Sequence, residues 1–317
     1  MIDVHCPFRK HVSRPVIFLT NDDGIEADGL LALVKGLHSR GHPLVVVAPA
    51  SEQSASGMHL SLRKNLKFEE REDLAKEFRE KDGPILRMFS LDGTPCDCVI
   101  VALDGGLENW VPGLKPAICV SGINQGPNLS VDVMHSGTVS AAREAGLYGM
   151  PSIATSLSTY NHSDFSDTVE ATIEIIEASL SILPNKAINV LRPLGSNRPY
   201  NSKTDNDRII EAFSLGNLML NINAPENWTS GFQTVSLGVR WYHNAIELAN
   251  SKTGYGFKAA RIIDEDIPGT DCNAVNEGSV AITPLSCWPN NHPLGLSESL
   301  LKSATKQGEY GFPIWLS

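Results

Sequence analysis

The feature that most constrains the fold is an alternation of strand, loop, helix and strand near the start of the chain. Residues 16–19 are a short apolar run that ends at the polar residues 20–24, Thr-Asn-Asp-Asp-Gly. Apolar residues then recur with helical period until Gly41, and residues 44–48 form a second apolar run. Buried strands joined by a glycine-bearing loop and a helix are typical of a doubly wound sheet. We therefore expect an α/β fold with a mostly parallel sheet.

The same alternation continues along much of the chain. Thr94 is placed to cap a helix whose first position is Pro95. Gly149 and Pro151 end a later helix of small residues. The remaining pattern predicts helices over 96–103, 139–147 and 168–180, and strands over 117–120, 151–154, 187–191, 218–222, 234–239 and 280–283.

These elements divide the chain into a core and an extension. Residues 1–13 contain no signal-peptide core and are expected to be a flexible N-terminal extension. Residues 14–225 are expected to form the core that carries the site. Within it, residues 192–208 are rich in Asn, Pro, Gly and Ser, which predicts a surface insertion. Residues 226–317 are expected to form a β-rich extension and a C-terminal tail.

Composition and charge exclude several kinds of partner. The 26 lysines and arginines against 36 aspartates and glutamates give a formal net charge of −10, without a basic stripe that could neutralise a run of phosphates. We therefore expect no long nucleic acid as a partner. No stretch of about 18 apolar residues predicts a membrane span, so no membrane partner is expected either. The six cysteines lack the spacing of a zinc site or a disulfide scaffold, which favours the reducing cytoplasm.

Four polar loops follow predicted strands or turns and are candidates for a functional site. They comprise residues 21–24, 51–54, 121–128 and 136–138. In an open parallel sheet the carboxyl ends of the strands line one crevice, so loops that are distant in sequence can meet there. The sequence therefore predicts one site at that edge of the sheet.

Two adjacent carboxylates, Asp22 and Asp23, end the first predicted strand. Two negative charges this close repel each other unless a cation lies between them, which indicates a metal site. Ser54 and Asn124, in the next two loops, could add a hydroxyl and an amide oxygen. Such an all-oxygen set suits Mg²⁺, Mn²⁺ or Ca²⁺ rather than zinc. The alternative is that each of these residues only forms a turn or caps a helix.

The fourth loop precedes a helix and is a candidate phosphate site. The backbone N–H groups and hydroxyls of Ser136, Gly137 and Thr138 could hold a phosphate at the positive end of the helix dipole. Asn128 could reach the same anion. Ordinary helix capping and turn formation are the alternatives. His135 and His59 lie near these loops, and we expect neither to be essential.

Taken in order, these motifs resemble those of the SurE nucleotidase family. The resemblance is carried by residues 20–24, by Val-Ala-Pro at 47–49 followed by Gln-Ser at 53–54, by residues 92–99, by Ser-Gly-Ile-Asn-Gln-Gly-Pro-Asn at 121–128 and by residues 136–144. Later segments at 220–225, 269–271 and 280–285 are similar to the second half of that family.

The resemblance implies a Rossmann-like core with a β-rich C-terminal extension that forms a homodimer or homotetramer. It implies that Asp22, Asp23, Ser54 and Asn124 hold one divalent ion, Mg²⁺ or Mn²⁺. We expect Asp22 and Asp23 to be the catalytic residues, one mainly as a ligand and the other also orienting or deprotonating the water, and which is which stays open. The expected reaction is the hydrolysis of nucleoside 5′- and 3′-monophosphates, or of other small phosphomonoesters, by a metal-activated water.

The sequence departs from the family pattern in the length of the connection over 192–208, which is longer than usual, and at two short sites near the candidate loops. Ala50-Ser51 stands where an acidic-basic pair is common, and His135 stands where a tyrosine is common. Both departures could alter substrate preference. Two other functions stay open: a phosphatase that forms an aspartyl-phosphate, and a nucleotide sensor that binds without turnover. The first usually pairs its aspartate with an acid two positions later, whereas here the two carboxylates are adjacent.

Overall fold

The computed structural model describes residues 14–81, 83–161, 164–195, 200, 202–228, 231–248 and 254–316. The predicted N-terminal extension, residues 1–13, lies outside these ranges. The strands β1 to β13 are Val16–Thr20, Leu44–Pro49, Phe68–Glu70, Leu86–Leu91, Pro116–Gln125, Ser152–Leu157, Leu218–Ala224, Phe232–Thr234, Arg240–His243, Ile246–Leu248, Tyr255–Phe257, Arg261–Asp264 and Val280–Ser286.

Helices lie between most of these strands. The α-helices α1 to α9 are Asp28–Ser39, Glu72–Phe78, Pro95–Val101, Leu107–Trp110, Gly137–Leu147, Ser166–Ile182, Asp205–Ser214, Asp271–Asn276 and Glu298–Ala304. An irregular turn, Ala102–Gly106, joins α3 to α4. Short 3₁₀ turns occur at Ser130–Met134, Glu309–Gly311 and Ile314–Leu316.

Nine strands form one sheet in the order β3-β4-β2-β1-β5-β6-β7-β13-β8. The six strands from β4 to β7 in this order run parallel, whereas β3 and β13 are antiparallel to their neighbours β4 and β7. The chain winds outward from β1 through β2 to β4, and outward the other way from β5 through β6 to β7. The winding direction therefore reverses between β1 and β5, and in such folds a crevice opens at the carboxyl ends of these two strands.

Helices cover both faces of the sheet. Side chains of each strand point alternately to opposite sides, so one strand can pack against helices on both. Along β1, Ile17 and Leu19 pack with apolar residues of α1 and α6 on one face. Phe18, between them, packs with residues of α3 and α5 on the other face. All three side chains are fully buried. Two apolar layers therefore hold β1 rigidly, so the loop that follows it starts from a fixed position.

The structure confirms the predicted α/β class and the doubly wound, mostly parallel sheet. The predicted cap also forms: the Thr94 hydroxyl accepts from Asp97 N at 3.2 Å, and Thr94 N donates to the Asp97 carboxylate at 2.8 Å. The Thr94 hydroxyl in turn donates to His59 O at 2.6 Å. The start of α3 thus anchors the long segment between β2 and β3.

The prediction of a strand over residues 187–191 is wrong. Ala187 N donates to Pro116 O at 2.8 Å, but no strand forms in this segment. Ala187 and Val190 pack against the core, whereas Ile188 is 61% exposed. The place beside β6 is taken by β7 instead. An apolar run therefore covers the end of the core without joining the sheet.

The strand predicted over 234–239 also needs correction. It covers only Thr234, the last residue of β8, and beyond it only Ser236 forms an isolated bridge, with Thr270. The insertion predicted over 192–208 lies partly outside the described residues, and its last four residues belong to α7. Arg192 is held in place, since its guanidinium donates to Leu147 O at 2.6 Å.

The sequence after residue 225 contributes to the main sheet as well as to separate hairpins. The strands β13 and β8 extend the sheet beyond β7. The strands β9 and β12 form one two-stranded sheet, and β10 and β11 form another. In the described part of the chain, no helix combines the length and apolar character needed to cross a bilayer.

Candidate functional site

The loops after β1 and β2 are bonded to each other at the switch point of the sheet. Gln53 N donates to Asp22 O at 2.7 Å, and Ile25 N donates to Pro49 O at 2.9 Å. Asn21 fixes the turn from within: its amide nitrogen donates to Gly24 O at 2.8 Å. The segment that carries Ser54 therefore lies directly against the segment that carries the two aspartates.

Asp22 is only 3% exposed and lies at the first turn of α5. Its carboxylate accepts a hydrogen bond from the Thr138 hydroxyl and further bonds from the backbone of Gly137 and Thr138. Burial raises the pKa of Asp22, and these hydrogen bonds oppose the rise. The positive end of a helix stabilises a carboxylate, so α5 compensates part of the desolvation of Asp22.

Gly137 is required for this arrangement, because it has no side chain. A Cβ atom at this position would lie 2.7 Å from Asp22 Cβ, from Asp22 Oδ2 and from Ser56 Oγ. Such distances are shorter than any ordinary contact, and Asp22 is packed too tightly to move away. The contact between the β1 loop and α5 therefore depends on a glycine at the start of the helix.

Asp23 is half-buried and carries one hydrogen bond, from Gln125 N at 3.2 Å. Burial raises its pKa to about 6, and the negative charges of Asp22 and Glu52 add to the rise. Within the described residues, neither Asp22 nor Asp23 forms an ion pair with Lys, Arg or His. Two neighbouring carboxylates are thus partly desolvated without a cationic side chain to balance them.

Ser54 and Asn124 flank these carboxylates. Ser54 lines a cleft with Asp22 and an adjoining cleft with Asp23, and its hydroxyl donates to Glu52 Oε1 at 2.7 Å. Asn124 is the next-to-last residue of β5 and follows a shift of register against β6, and its amide nitrogen donates to Gly126 O at 2.8 Å. Among the described residues no hydrogen bond to the amide oxygen is found, and Asn124 lines the cleft with Asp22. The four residues named from the sequence as metal ligands border two clefts that share Ser54, Gln125 and Tyr160 and are together called the opening.

No three His, Cys, Asp or Glu side chains come together as a metal-binding group among the residues described. A divalent ion in this opening would therefore depend on the Ser54 hydroxyl and the Asn124 amide oxygen, besides the two carboxylates. All four donors are hard oxygen ligands, which Mg²⁺ and Mn²⁺ accept readily.

The four candidate phosphate residues fall into two groups. Ser136 and Asn128 line the cleft with Asp22. The Ser136 oxygen caps α5 by accepting from Val139 N at 3.0 Å, which leaves its O–H as a donor. The Asn128 amide nitrogen donates to Ser156 Oγ at 2.8 Å, and its second N–H is left for the cleft. Gly137 and Thr138, by contrast, border neither cleft and contact Asp22 directly.

Several residues that line the cleft are not among the site residues named from the sequence. The cleft is also lined by Gln125, Asp132, Tyr160 and Tyr242. Gln125 lies inside the 121–128 motif and was within reach of sequence reasoning. Tyr160 follows β6 and Tyr242 lies in β9, so only the fold brings them to the cleft. His135 lines this cleft as well, whereas His59 lines a different one.

Known proteins are similar to most of this chain. A family model described as "Survival protein SurE" matches residues 17–244. A protein of Pelotomaculum thermopropionicum named 5′-nucleotidase SurE is 34% identical, covering 85% of this chain and 88% of its own. A protein of the same name from Gloeobacter violaceus is 35% identical over 85% of this chain and 89% of its own. The crystal structure of the SurE protein from Aquifex aeolicus aligns with a TM-score of 0.60 at 27% identity. The alignment covers 87% of this chain and 95% of that chain.

We expect Gly137→Ala to destabilise the protein by about 1–3 kcal/mol, because the added methyl overlaps the buried Asp22 side chain. Urea unfolding followed by circular dichroism measures this difference. Gly254→Ala is the matched control, since a Cβ atom there meets nothing within 4 Å. Equal free energies of unfolding for the two variants would show that Asp22 does not pack against α5 as described.

Proposed function

The chain belongs to the SurE family, and we propose that it hydrolyses nucleoside 5′- and 3′-monophosphates with one divalent ion, Mg²⁺ or Mn²⁺. Relatives named 5′-nucleotidase SurE share about a third of their residues with it over most of the chain, and it is an enzyme of that class. The observation that carries the proposal is the pair of neighbouring carboxylates after β1, the buried Asp22 and the half-buried Asp23, which have no cationic partner in the described structure.

The donor set fits a divalent ion. The raised pKa values of Asp22 and Asp23 reflect desolvated charges that a cation would relieve. Ser54 and Asn124 present a hydroxyl and an amide oxygen to the same opening. Asp22, Asp23, Ser54 and Asn124 would hold the divalent ion, which would supply polarisation of a phosphoryl oxygen and a lower pKa for a water molecule.

The two aspartates differ in ways that suit different roles. Asp22 is fixed by Thr138 and by the first turn of α5, so it serves as a rigid ligand. Asp23 is more accessible and carries only the bond from Gln125, so it orients the attacking water and takes its proton. A cation bound beside Asp23 would lower its pKa from about 6, so that at neutral pH the carboxylate is unprotonated and able to accept a proton.

Ser136 and Asn128 hold the phosphate of the substrate in this proposal. Both line the cleft, both are nearly fully buried, and each has a donor left after its structural hydrogen bond. They lie close to the N-terminus of α5, whose dipole favours an anion. Donors fixed in advance stabilise the charge on the equatorial oxygens in the transition state without further reorganisation.

Small phosphomonoesters suit this cleft better than a long nucleic acid. Carboxylates stand around the opening, with Asp132 in one cleft and Glu26, Asp28 and Glu52 in the other. A chain of phosphates laid across this surface would meet negative charge beyond the reacting group. The five described cysteines are buried free thiols, in keeping with the proposed cytoplasmic location.

Self-association is also part of the proposal, and it rests on the hairpin of β10 and β11. Phe257 is 91% exposed and pairs with Ile246, which is 55% exposed; Tyr255 is 74% exposed and pairs with Leu248, which is 51% exposed. An isolated two-stranded hairpin is marginally stable in water at best. Packing against a second copy would bury these side chains, which supports a homodimer or homotetramer.

The first test is phosphate release from AMP, GMP and their 3′ isomers with Mg²⁺, Mn²⁺ or EDTA. We expect metal-dependent release by the wild type, and Asp22→Asn should lower kcat by about 100-fold or more, because a rigid ligand is lost. Asp104→Asn is the control: it removes an exposed carboxylate from the turn between α3 and α4. Undiminished release in EDTA would contradict the metal-dependent mechanism.

A second test uses the pH dependence of metal binding. A carboxylate must lose its proton to bind a cation, so affinity falls as the pH drops through the pKa of Asp23, about 6. We expect Mn²⁺ to bind the metal-free protein roughly 10-fold more weakly near pH 5 than near pH 7.5. Titration calorimetry measures this. The variant Asp23→Asn should bind weakly at both pH values, and a wild type with constant affinity would argue against Asp23 as a ligand.

A third test measures mass in solution by light scattering. The wild type is expected to elute as a dimer or tetramer, and Phe257→Lys as a smaller species, because a charge there prevents burial of the hairpin. Tyr310→Lys changes an equally exposed ring, 87% accessible, outside the hairpin. A monomeric wild type, or equal dissociation of both variants, would show that the hairpin does not form an interface between copies.

A further inference from the structure

Two aromatic rings stand in the cleft that holds Asp22, Ser54 and Asn124. Tyr160, from the segment after β6, is 58% exposed, and Tyr242, from β9, is 40% exposed. Neither ring serves the reaction proposed above. The rest of the lining is mainly polar. Two accessible rings beside the candidate phosphate and metal residues therefore favour a ligand that has a flat, apolar part.

Tyr160 is held against the loop that carries the site. A Cβ atom at Gly126 would lie 2.4 Å from Tyr160 Cε1, so the ring rests on the backbone there in the space that a side chain would fill. The backbone oxygen of Tyr160 accepts from the Gln125 amide nitrogen at 3.0 Å. The ring is therefore placed by the same loop that presents Asn124 and Asn128.

Tyr242 is fixed from the other side of the cleft. Its hydroxyl donates to Asp132 Oδ1 at 2.6 Å, and Asp132 Oδ2 accepts from Arg240 Nη1 at 3.0 Å. Arg240, with only 6% of its side chain exposed, also forms two bonds to Asp264, at 2.7 and 2.8 Å. This network holds β9 against the 3₁₀ turn Ser130–Met134, so Tyr242 loses little freedom when a ligand binds.

We propose that Tyr160 and Tyr242 form a nucleobase subsite, in which the base of a nucleoside monophosphate stacks on the rings while its phosphate lies at Ser136 and Asn128. This proposal rests on the proposed function and deepens it by naming the part of the substrate that is recognised. Stacking uses the π-face that every base has, so the subsite accepts all bases. Purines offer the larger face and are therefore preferred over pyrimidines.

The test compares substrates with and without a base. Steady-state kinetics are measured with AMP, CMP and glycerol 1-phosphate for the wild type, Tyr160→Ala, Tyr242→Ala and Tyr160→Phe. Each alanine variant should raise KM for AMP by about 10-fold, the size of one lost stacking contact, with kcat nearly unchanged. Glycerol 1-phosphate should be unaffected. Tyr160→Phe keeps the ring and should behave as the wild type.

Two controls guard against indirect effects. Tyr310→Ala removes an 87% exposed ring that lines neither cleft and should change nothing. Tyr242→Phe keeps the ring but removes the bond to Asp132, which separates stacking from the anchoring of β9. An equal loss for AMP and glycerol 1-phosphate in Tyr160→Ala, or an unchanged KM for AMP, would overturn the subsite while leaving the phosphatase intact.

Failure of the proposed function gives a different result. If the wild type hydrolyses none of the three esters, the binding of AMP is measured by calorimetry with Mn²⁺ present. Binding that weakens about 10-fold in Tyr160→Ala but not in Tyr160→Phe supports the base subsite on a protein without turnover. Absence of AMP binding to the wild type overturns the subsite.

Discussion

The carboxylate of Asp22 is buried against the first turn of α5, and the geometry of the cleft depends on this contact. It joins the loop after β1 to a helix that lies more than a hundred residues later in the chain, through the Thr138 hydroxyl and the backbone at Gly137. The helix compensates part of the cost of desolvating a charge, and the missing side chain of Gly137 makes the approach possible. Ser54 lies beside Asp22 because the backbone N–H of its neighbour Gln53 donates to Asp22 O.

This contact also bears on the proposed cation site. The N-terminus of α5 stabilises Asp22 but not Asp23, whose pKa stays near 6 because of burial and the charge of its neighbour. The fold thus retains neighbouring negative charges at the switch point of the sheet, and their repulsion lowers the stability of the folded protein. A concentrated charge of this kind, bordered by the neutral oxygens of Ser54 and Asn124, favours a small hard ion.

The second half of the chain completes the cleft from the outside. Arg240, Asp132 and Asp264 form a nearly buried ion-pair network that fastens β9 to the turn after β5, and through it Tyr242 reaches the opening. Breaking one partner of such a network leaves an uncompensated charge, so β9 is firmly held. The strands next to it, β10 and β11, expose their apolar side chains. One extension therefore shapes the cleft, and its exposed hairpin is the proposed surface for a second copy.

The sequence alone determined the layered architecture and the residues at the ends of β1 and β5, because period-two and helical patterns, a Thr-Pro cap and the order of five motifs are all local signals. It failed where tertiary packing decided: residues 187–191 have a strand pattern but no place in the sheet, since β7 occupies the edge beside β6. Sequence could not show that Gly137 and Thr138 support Asp22 and stand apart from the cleft lining, nor that Tyr160 and Tyr242 share a cleft. Those facts depend on which distant segments come into contact, and only the folded chain brings them together.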